Sequence, residues 1–370
     1  MSSLEAGEIV AHAVKERYPK AKITIKNFAD GGEGTVRAIL DNYKHVKYMV
    51  KTYGANKKNI SVDWYFLKDE NVALFEMASV VGLTALTQKD LDPEKTTTYG
   101  IAPVILDILG KGVKKIWFAV GGTSTLDGGL GFLDGMGVAI ENSPFPNNLL
   151  EVSGSEAFDF FETEHRNENL KSHPEKGECL FPSVIFDIIA DVHAPLLGEE
   201  GAVFAFGKQK GATPENTALL EEGMANFSYA VKGKTQDASF LESRGLGAAG
   251  GISLGLSLLF KVNIKNGADF VMTKTGIKEK MNDFDMVITG EGQFNSQSKQ
   301  GKGPWALASF AKNNDIPALI ISGLTIEEKD KVKDFHFLET ANLLPRNRAE
   351  AQKNLLKATR RWLDNNEVCK

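Results

Sequence analysis

Apolar positions along this chain repeat with two periods, and the switches between them outline a fold. In residues 3–17, Ala6, Ile9, Val10, Ala13 and Val14 share one helical face, and Ser2 with Glu5 forms the capping pair that starts a helix. AKITIKNF (21–28) and VKYMVKTY (46–53) alternate apolar and polar residues, which predicts strands. Between them DGGEG (30–34) reads as a loop and TVRAILDNY (35–43) as a helix. Helices alternating with strands across short loops predict an α/β layer with a parallel sheet.

The middle is less regular. SVDWYFLK and NVALFEMA read as a hairpin, TTYGIAPVILDILGKG (97–112) opens a helix, and KKIWFAV (114–120) is a buried strand. Residues 141–180 are polar and irregular and read as a surface excursion. SVIFDIIADV (183–192) is a second buried strand ending in Asp191, much of 203–240 reads as helix, and AAGGISLGLSLLF (248–260) is a glycine-punctuated apolar helix. Towards the C-terminus, FDMVITG (284–290), PWALASFAKNN (304–314) and IPALIISG (316–323) spell one β-loop-α-β unit. The expected organisation is two-domain α/β. Residues 1–58 and 276–370 form a discontinuous Rossmann-like parallel-sheet domain, and residues 59–275 form an inserted mixed α/β domain.

Composition narrows the function classes. Of 370 residues, 42% are hydrophobic and 25% charged, as in soluble globular proteins. A net charge of −5 and the lack of a Lys/Arg block argue against nucleic acid as partner. Cys179 and Cys369 have no metal spacing, and two cysteines make no disulfide framework, which favours a reducing compartment. No apolar run reaches membrane-spanning length and the acidic N-terminus has no signal-peptide pattern, so a cytoplasmic, membrane-free protein is expected. Oligomeric state has no signature in the sequence.

Ligands of parallel α/β sheets bind at the carboxyl ends of strands. Four glycine-rich loops with carboxylates stand at such ends: DGGEGT (30–35), GGTSTLDGGLG (121–131), DVHAPLLGEEG (191–201) and GEGQFNSQSKQGKGP (290–304). Glycine lets backbone N–H groups turn toward an anion, a helix N-terminus adds its dipole, and carboxylates hold Mg²⁺ or accept a proton. Any one such loop is ordinarily a turn; four together point to phosphate chemistry. Two literal motifs are discounted. GLGAAG (245–250) fits the dinucleotide fingerprint, with Asp269 near the expected acid position, but polar ASFLESR precedes it where a strand is required. Close helix packing explains its glycines better. Lys302 follows Gly301 without the rest of a P-loop. His193, the one histidine beside a glycine-rich loop, has no partner in sequence, and Trp64 and Trp117 read as core. Lys208 reads as a surface charge. Lys210, just before Gly211 and the Thr213-Pro214-Glu215 helix start, is the better anion contact, and Lys302 stands likewise ahead of Pro304.

Taken in order, FADGGEGTVRAI (28–39), ALFEMASVVGLTAL (73–86), TTTYG (96–100), VGGTSTLDGGLG (120–131), DVHAPLLGEEGAVFAFGKQKGAT (191–213), GLGAAGGISLGLSL (245–258) and MVITGEGQFNSQSKQGK (286–302) resemble the bacterial, type 1 glycerate kinase family. The resemblance implies two α/β domains, one inserted in the other, with the active site in the cleft between. It also implies ATP- and Mg²⁺-dependent phosphorylation of D-glycerate, in most such enzymes at the 2-hydroxyl. On it, Gly121, Gly122, Thr123, Ser124, Gly128 and Gly129 form a phosphate-facing loop, joined by Lys302. Asp127 and Asp191 are the leading carboxylates for catalysis, Asp191 and Glu291 for the metal, Lys210 for the positive charge, and Asp30 and Glu33 for the substrate.

The chain also departs from the family pattern. The family's opening strand and Asp-Ser-Phe-Lys type loop have no counterpart ahead of Ser2-Ser3-Leu4, which reads as an N-terminal truncation relative to that pattern. Gly100-Ile101-Ala102-Pro103 replaces Gly-Thr-Gly-Glu, Leu126 replaces Asn, His193-Ala194 replaces a polar pair, and Gln293 and Asn295 replace Arg and Asp. Each swap removes a charge or a hydrogen-bonding group. The alternative expectation is a weakened or inactive relative that binds a nucleotide or small organic acid.

Overall fold

The computed structural model describes residues 1–138, 181–191, 194–232, 238–294, 298, 302–325, 335–340, 345 and 347–366. The polar excursion expected at 141–180, as well as His193 and Asn295, lies outside them. The chain divides into two compact units. A terminal unit takes Met1–Asp30, Arg37–Asn42 and Gly267–Lys370, and a central unit takes Gly31–Val36 and Tyr43–Asn266.

Helix α1 (Ser3–Arg17) starts where the Ser2–Glu5 box predicts: Glu5 N–H donates to Ser2 Oγ at 3.2 Å, and Ser2 N–H donates to the Glu5 carboxylate at 2.8 Å. Such a cap stabilises a helix by about 1 kcal/mol. The alternating segment 21–28, expected as a strand, joins no ladder. Alternation supplies the period of a strand, but a strand forms only where a neighbour takes its N–H and C=O groups. Instead Lys26 Nζ anchors the segment within the terminal unit by donating to Thr275 O and Asn42 Oδ1, both at 2.8 Å.

After the short α2 (Thr35–Leu40) come β1 (His45–Tyr53), β2 (Asn59–Leu67) and β3 (Val72–Glu76), paired antiparallel in sequence. Residues 46–53 were expected with the chain ends. Their pairing with β2, from His45 opposite Leu67 to Tyr53 opposite Asn59, puts them at the edge of the central sheet. Then follow α3 (Ala78–Val81), α4 (Ile101–Gly110), β4 (Lys115–Ala119), α5 (Leu130–Gly135), β5 (Phe181–Ala190), α6 (Ala202–Phe206), α7 (Pro214–Lys232), α8 (Ile252–Leu259) and β6 (Phe260–Asn266). The sheet order is β1-β2-β3-β4-β5-β6, parallel from β3 onward. Strand β4 reads IWFA because a central parallel strand is covered on both faces. Phe118 stacks on Phe75 at 5.3 Å, and Trp64 is fully buried, with its Nε1 donating to Asp107 of α4 at 2.7 Å.

In the terminal unit, α9 (Gly267–Lys274) precedes a parallel sheet of β7 (Val287–Phe294), β8 (Ala318–Thr325) and β9 (His336–Glu339), with α10 (Gly303–Asn313) joining β7 to β8. One face packs Leu319 and Ile321 against Ile9 and Val10 of α1 and Leu355 and Trp362 of α11 (Arg348–Asn365). The other packs Ile320 and Phe294 against Leu307, Ala308 and Ala311 of α10. Among the described residues no helix is long and apolar enough to cross a membrane.

Candidate functional site

In the central unit, the loop after β4 closes on itself. From Thr123 to Phe132 every residue is buried, and only Gly121 and Gly122 reach the surface. Asp127, 3% exposed, is the knot. Its carboxylate accepts Thr98 N–H and Thr98 Oγ1–H at 2.8 Å, Gly129 N–H at 3.1 Å and Gly131 N–H at 3.2 Å. Burial pushes this carboxyl up, and the four donors pull against that shift. Two further amides of the loop are bonded inward: Ser124 N–H goes to Val81 O and Gly128 N–H to Gly250 O, each at 2.9 Å. Glycine is needed at Gly131 because a Cβ there would run into Thr97 Oγ1. The GLGAAG segment packs here for the same reason, since a Cβ on Gly250 would strike Thr125 O. Thr123, Ser124, Asp127, Gly128 and Gly129, expected to face phosphate or reacting groups, therefore face the protein interior.

Lys210 lies beneath this loop, in the turn between α6 and α7, and is 3% exposed. Its Nζ donates to Thr125 O at 2.8 Å and to Thr123 Oγ1 at 3.4 Å. Burial pulls its pKa from 10.5 down to about 7, although the Asp127 charge acts the other way. That drop corresponds to roughly 5 kcal/mol against the charged form. Lys210 is thus a buried tie on the loop; it was expected as an anion contact, and its Nζ points at its own chain.

The open chemistry of the terminal unit stands at the carboxyl end of β7. Glu291 Oε1 is buried with no hydrogen-bond partner among the described residues, while Ser298 hydrogen-bonds the carboxylate. Burial pushes Glu291 up, Lys302 and Ser298 draw it down, and the like charge of Asp30 pushes it up again. Asp30 Oδ2 accepts Gly303 N–H at 2.8 Å, so it caps α10. Lys302 is the N-cap residue of that helix, with Pro304 in its first turn. Asp30, Glu291 and Lys302, predicted from two separate loops, come together here. A buried carboxylate oxygen without a partner costs stability unless something bound satisfies it.

Over residues 1–367 the sequence matches the glycerate kinase family. The chain belongs to that family. It is 31% identical over 335 residues to the glycerate kinase of Bacillus subtilis strain 168, covering 90% of this chain and 84% of that one. To the glycerate 2-kinase of Escherichia coli K12 it is 29% identical over 326 residues, covering 87% and 82%. In fold it is similar to a crystal structure assigned to glycerate kinase 2 of Salmonella typhimurium LT2, with a TM-score of 0.73 and 25% identity, covering 99% of this chain and 94% of that one.

The other predicted residues of this family member lie at strand ends of the central unit. Asp191 follows β5 and is half-buried, and Glu33 is exposed on the loop before α2. Two residues were missed. Glu76, at the end of β3, accepts Gly34 N–H at 3.0 Å. A carboxylate closing the apolar run VALF was the available signal, the same one that singled out Asp191. Thr98, the partner of Asp127, carried no signal beyond its place in TTTYG, because its contact spans 29 residues.

Proposed function

We propose that this glycerate kinase family member phosphorylates D-glycerate at the 2-hydroxyl with ATP, giving 2-phosphoglycerate and ADP. The observation that carries the reading is the buried, unpartnered Glu291 oxygen beside Asp30 and Lys302, where a parallel strand ends and an 11-residue helix begins. Mg²⁺ fits these residues. It is a hard cation content with one or two carboxylates when phosphates and water complete its shell. Among the described residues no group of three or more candidate metal ligands exists, so a fully protein-held metal has no place. Asp30 and Glu291 would hold Mg²⁺, which supplies neutralisation of phosphate charge.

Phosphoryl transfer asks a protein chiefly for positioning and charge balance. Lys302, at the start of α10, brings positive charge to the same strand end, and the helix dipole adds to it. Taken by itself, the central unit offers the exposed Gly121–Gly122 corner as backbone for an anion, Glu33 as a carboxylate for a substrate hydroxyl, and Asp191 as a candidate base. Asp127 and Lys210 hold the loop that presents this corner and do not touch the reacting atoms. Because burial raises Glu291, its cation-holding form is lost as the pH falls, starting above the ordinary carboxylate range.

The test is a coupled ADP-release assay with D-glycerate, ATP and Mg²⁺, with the product identified by ³¹P NMR. Glycerate-dependent ADP release yielding 2-phosphoglycerate is expected. A folded protein that glycerate or ATP stabilises thermally without turnover would replace this reading by that of a binding protein.

A further inference from the structure

We infer that Glu76 is a positioning residue for the substrate loop, fixing residues 31–36 across the ends of three neighbouring strands; this rests on the kinase reading above for what the loop positions. The loop has three anchors within the central unit. At β5, Gly31 lies so close that a Cβ on it would sit 2.8 Å from Ile189 O. At β4, Gly31 O accepts Gly121 N–H at 2.9 Å. At β3, Glu76 Oε1 accepts Gly34 N–H at 3.0 Å, and the nearby amides of Thr35 and Val36 also favour the charged carboxylate. Internally, Gly31 N–H donates to Thr35 Oγ1 at 3.0 Å.

Strands β3, β4 and β5 are adjacent and parallel, and their carboxyl ends are where a sheet of this kind binds ligands. The loop lies over all three ends and carries Glu33 outward. Two of its anchors are backbone packing or a neutral hydrogen bond. The third is a carboxylate accepting Gly34 N–H, a charge-assisted contact stronger than a neutral one. Gly34 has φ +90 and no atom near its missing Cβ, so packing does not hold that end of the loop. Glu76 holds it. The charged neighbour acting on Glu76 from this loop is Glu33, whose like charge adds to burial in raising the Glu76 carboxyl. Protonating Glu76 removes the charge that draws the amides in.

The experiment compares Glu76→Ala and Glu76→Gln with the full wild-type chain. Loss of the tie is expected to raise KM for D-glycerate about tenfold in Glu76→Ala and leave KM for ATP within about twofold. Amide exchange at residues 34–36 is expected to quicken by about tenfold in the same variant. Glu76→Gln keeps an acceptor oxygen, so it returns the glycerate KM to within about threefold of wild type and loses the wild-type rise of that KM as the pH is lowered. Unchanged exchange and unchanged glycerate KM in folded Glu76→Ala would overturn the assignment. So would an equal rise in both KM values with a lowered melting temperature that Glu76→Gln does not rescue. If the wild type does not turn over glycerate, the kinase reading fails by itself, and amide exchange still decides whether Glu76 holds the loop.

Discussion

Two glycine-rich loops at strand ends have similar composition and opposite fates. The loop 121–131 after β4 is folded inward, its Asp127 carboxylate saturated by four donors and its glycines fitted against neighbouring backbone. At the carboxyl end of β7, Glu291 Oε1 has no partner among the described residues and Gly292 has open space around its missing Cβ, while Lys302 stands at the next helix start. Glycine and carboxylate together therefore mark two different needs: close packing in one loop, access for a ligand in the other. The state of the carboxylate tells them apart, for Thr125 Oγ1 in the inner loop is also buried without a partner among the described residues. A carboxylate with all its donors in place supports structure, and one left short of them invites a cation or substrate.

Substitutions should separate the two loops. Gly131→Ala drives a Cβ into Thr97 Oγ1 and is expected to cost about 3 kcal/mol or more, read as a lowered urea midpoint. An unchanged midpoint would show that the loop is not the packed knot described. Glu291→Gln is expected to do the reverse. On the proposed reading its kcat/KM falls by about 100-fold while the thermal midpoint holds or rises, because a carboxylate with a buried, unpaired oxygen is removed. A fall in stability with activity intact would exchange the roles of the two loops.

Lys210 gives a pH-dependent test of the knot. Its folded pKa, about 7, lies below the unfolded value of about 10.4, so between these limits the unfolded chain binds more protons and stability rises with pH. Wild type is expected to gain roughly 2 kcal/mol from this group between about pH 7 and 9, and Lys210→Met is expected to lack that gain. Parallel stability–pH curves for the two proteins would mean that Lys210 is solvated. The smallest effect falls on the open side. Gly292→Ala is expected to change stability by less than about 0.5 kcal/mol and to raise a substrate KM by about threefold, from a Cβ placed where a ligand enters.

Much of this was legible in sequence because it is local. The Ser2–Glu5 cap, the buried strand KIWFA, the helix start at Pro304 and the loops at strand ends are written within a few residues of one another. Asp30, Glu291 and Lys302 could be named singly, since a carboxylate or lysine in a glycine-rich loop is a local pattern. Their convergence was not legible, with Asp30 and Gly303 bonded across 273 residues. AKITIKNF misled because alternation is also local, while its pairing partner is not. Asp127 misled for the same reason: nothing in STLDGGLGF tells that Thr98 supplies two donors.

The sequence by itself determined the α/β class, the positions of the glycine-rich loops and the set of charged residues from which a site could be built. Periodicity, capping and turn preference act over one or two turns of chain and are encoded there. Only the tertiary structure decided that Asp127 is saturated by donors and that Glu291 Oε1 is left without one among the described residues. The cost of a buried carboxylate depends on donors brought from distant strands and helices, and those donors exist only once the chain has folded.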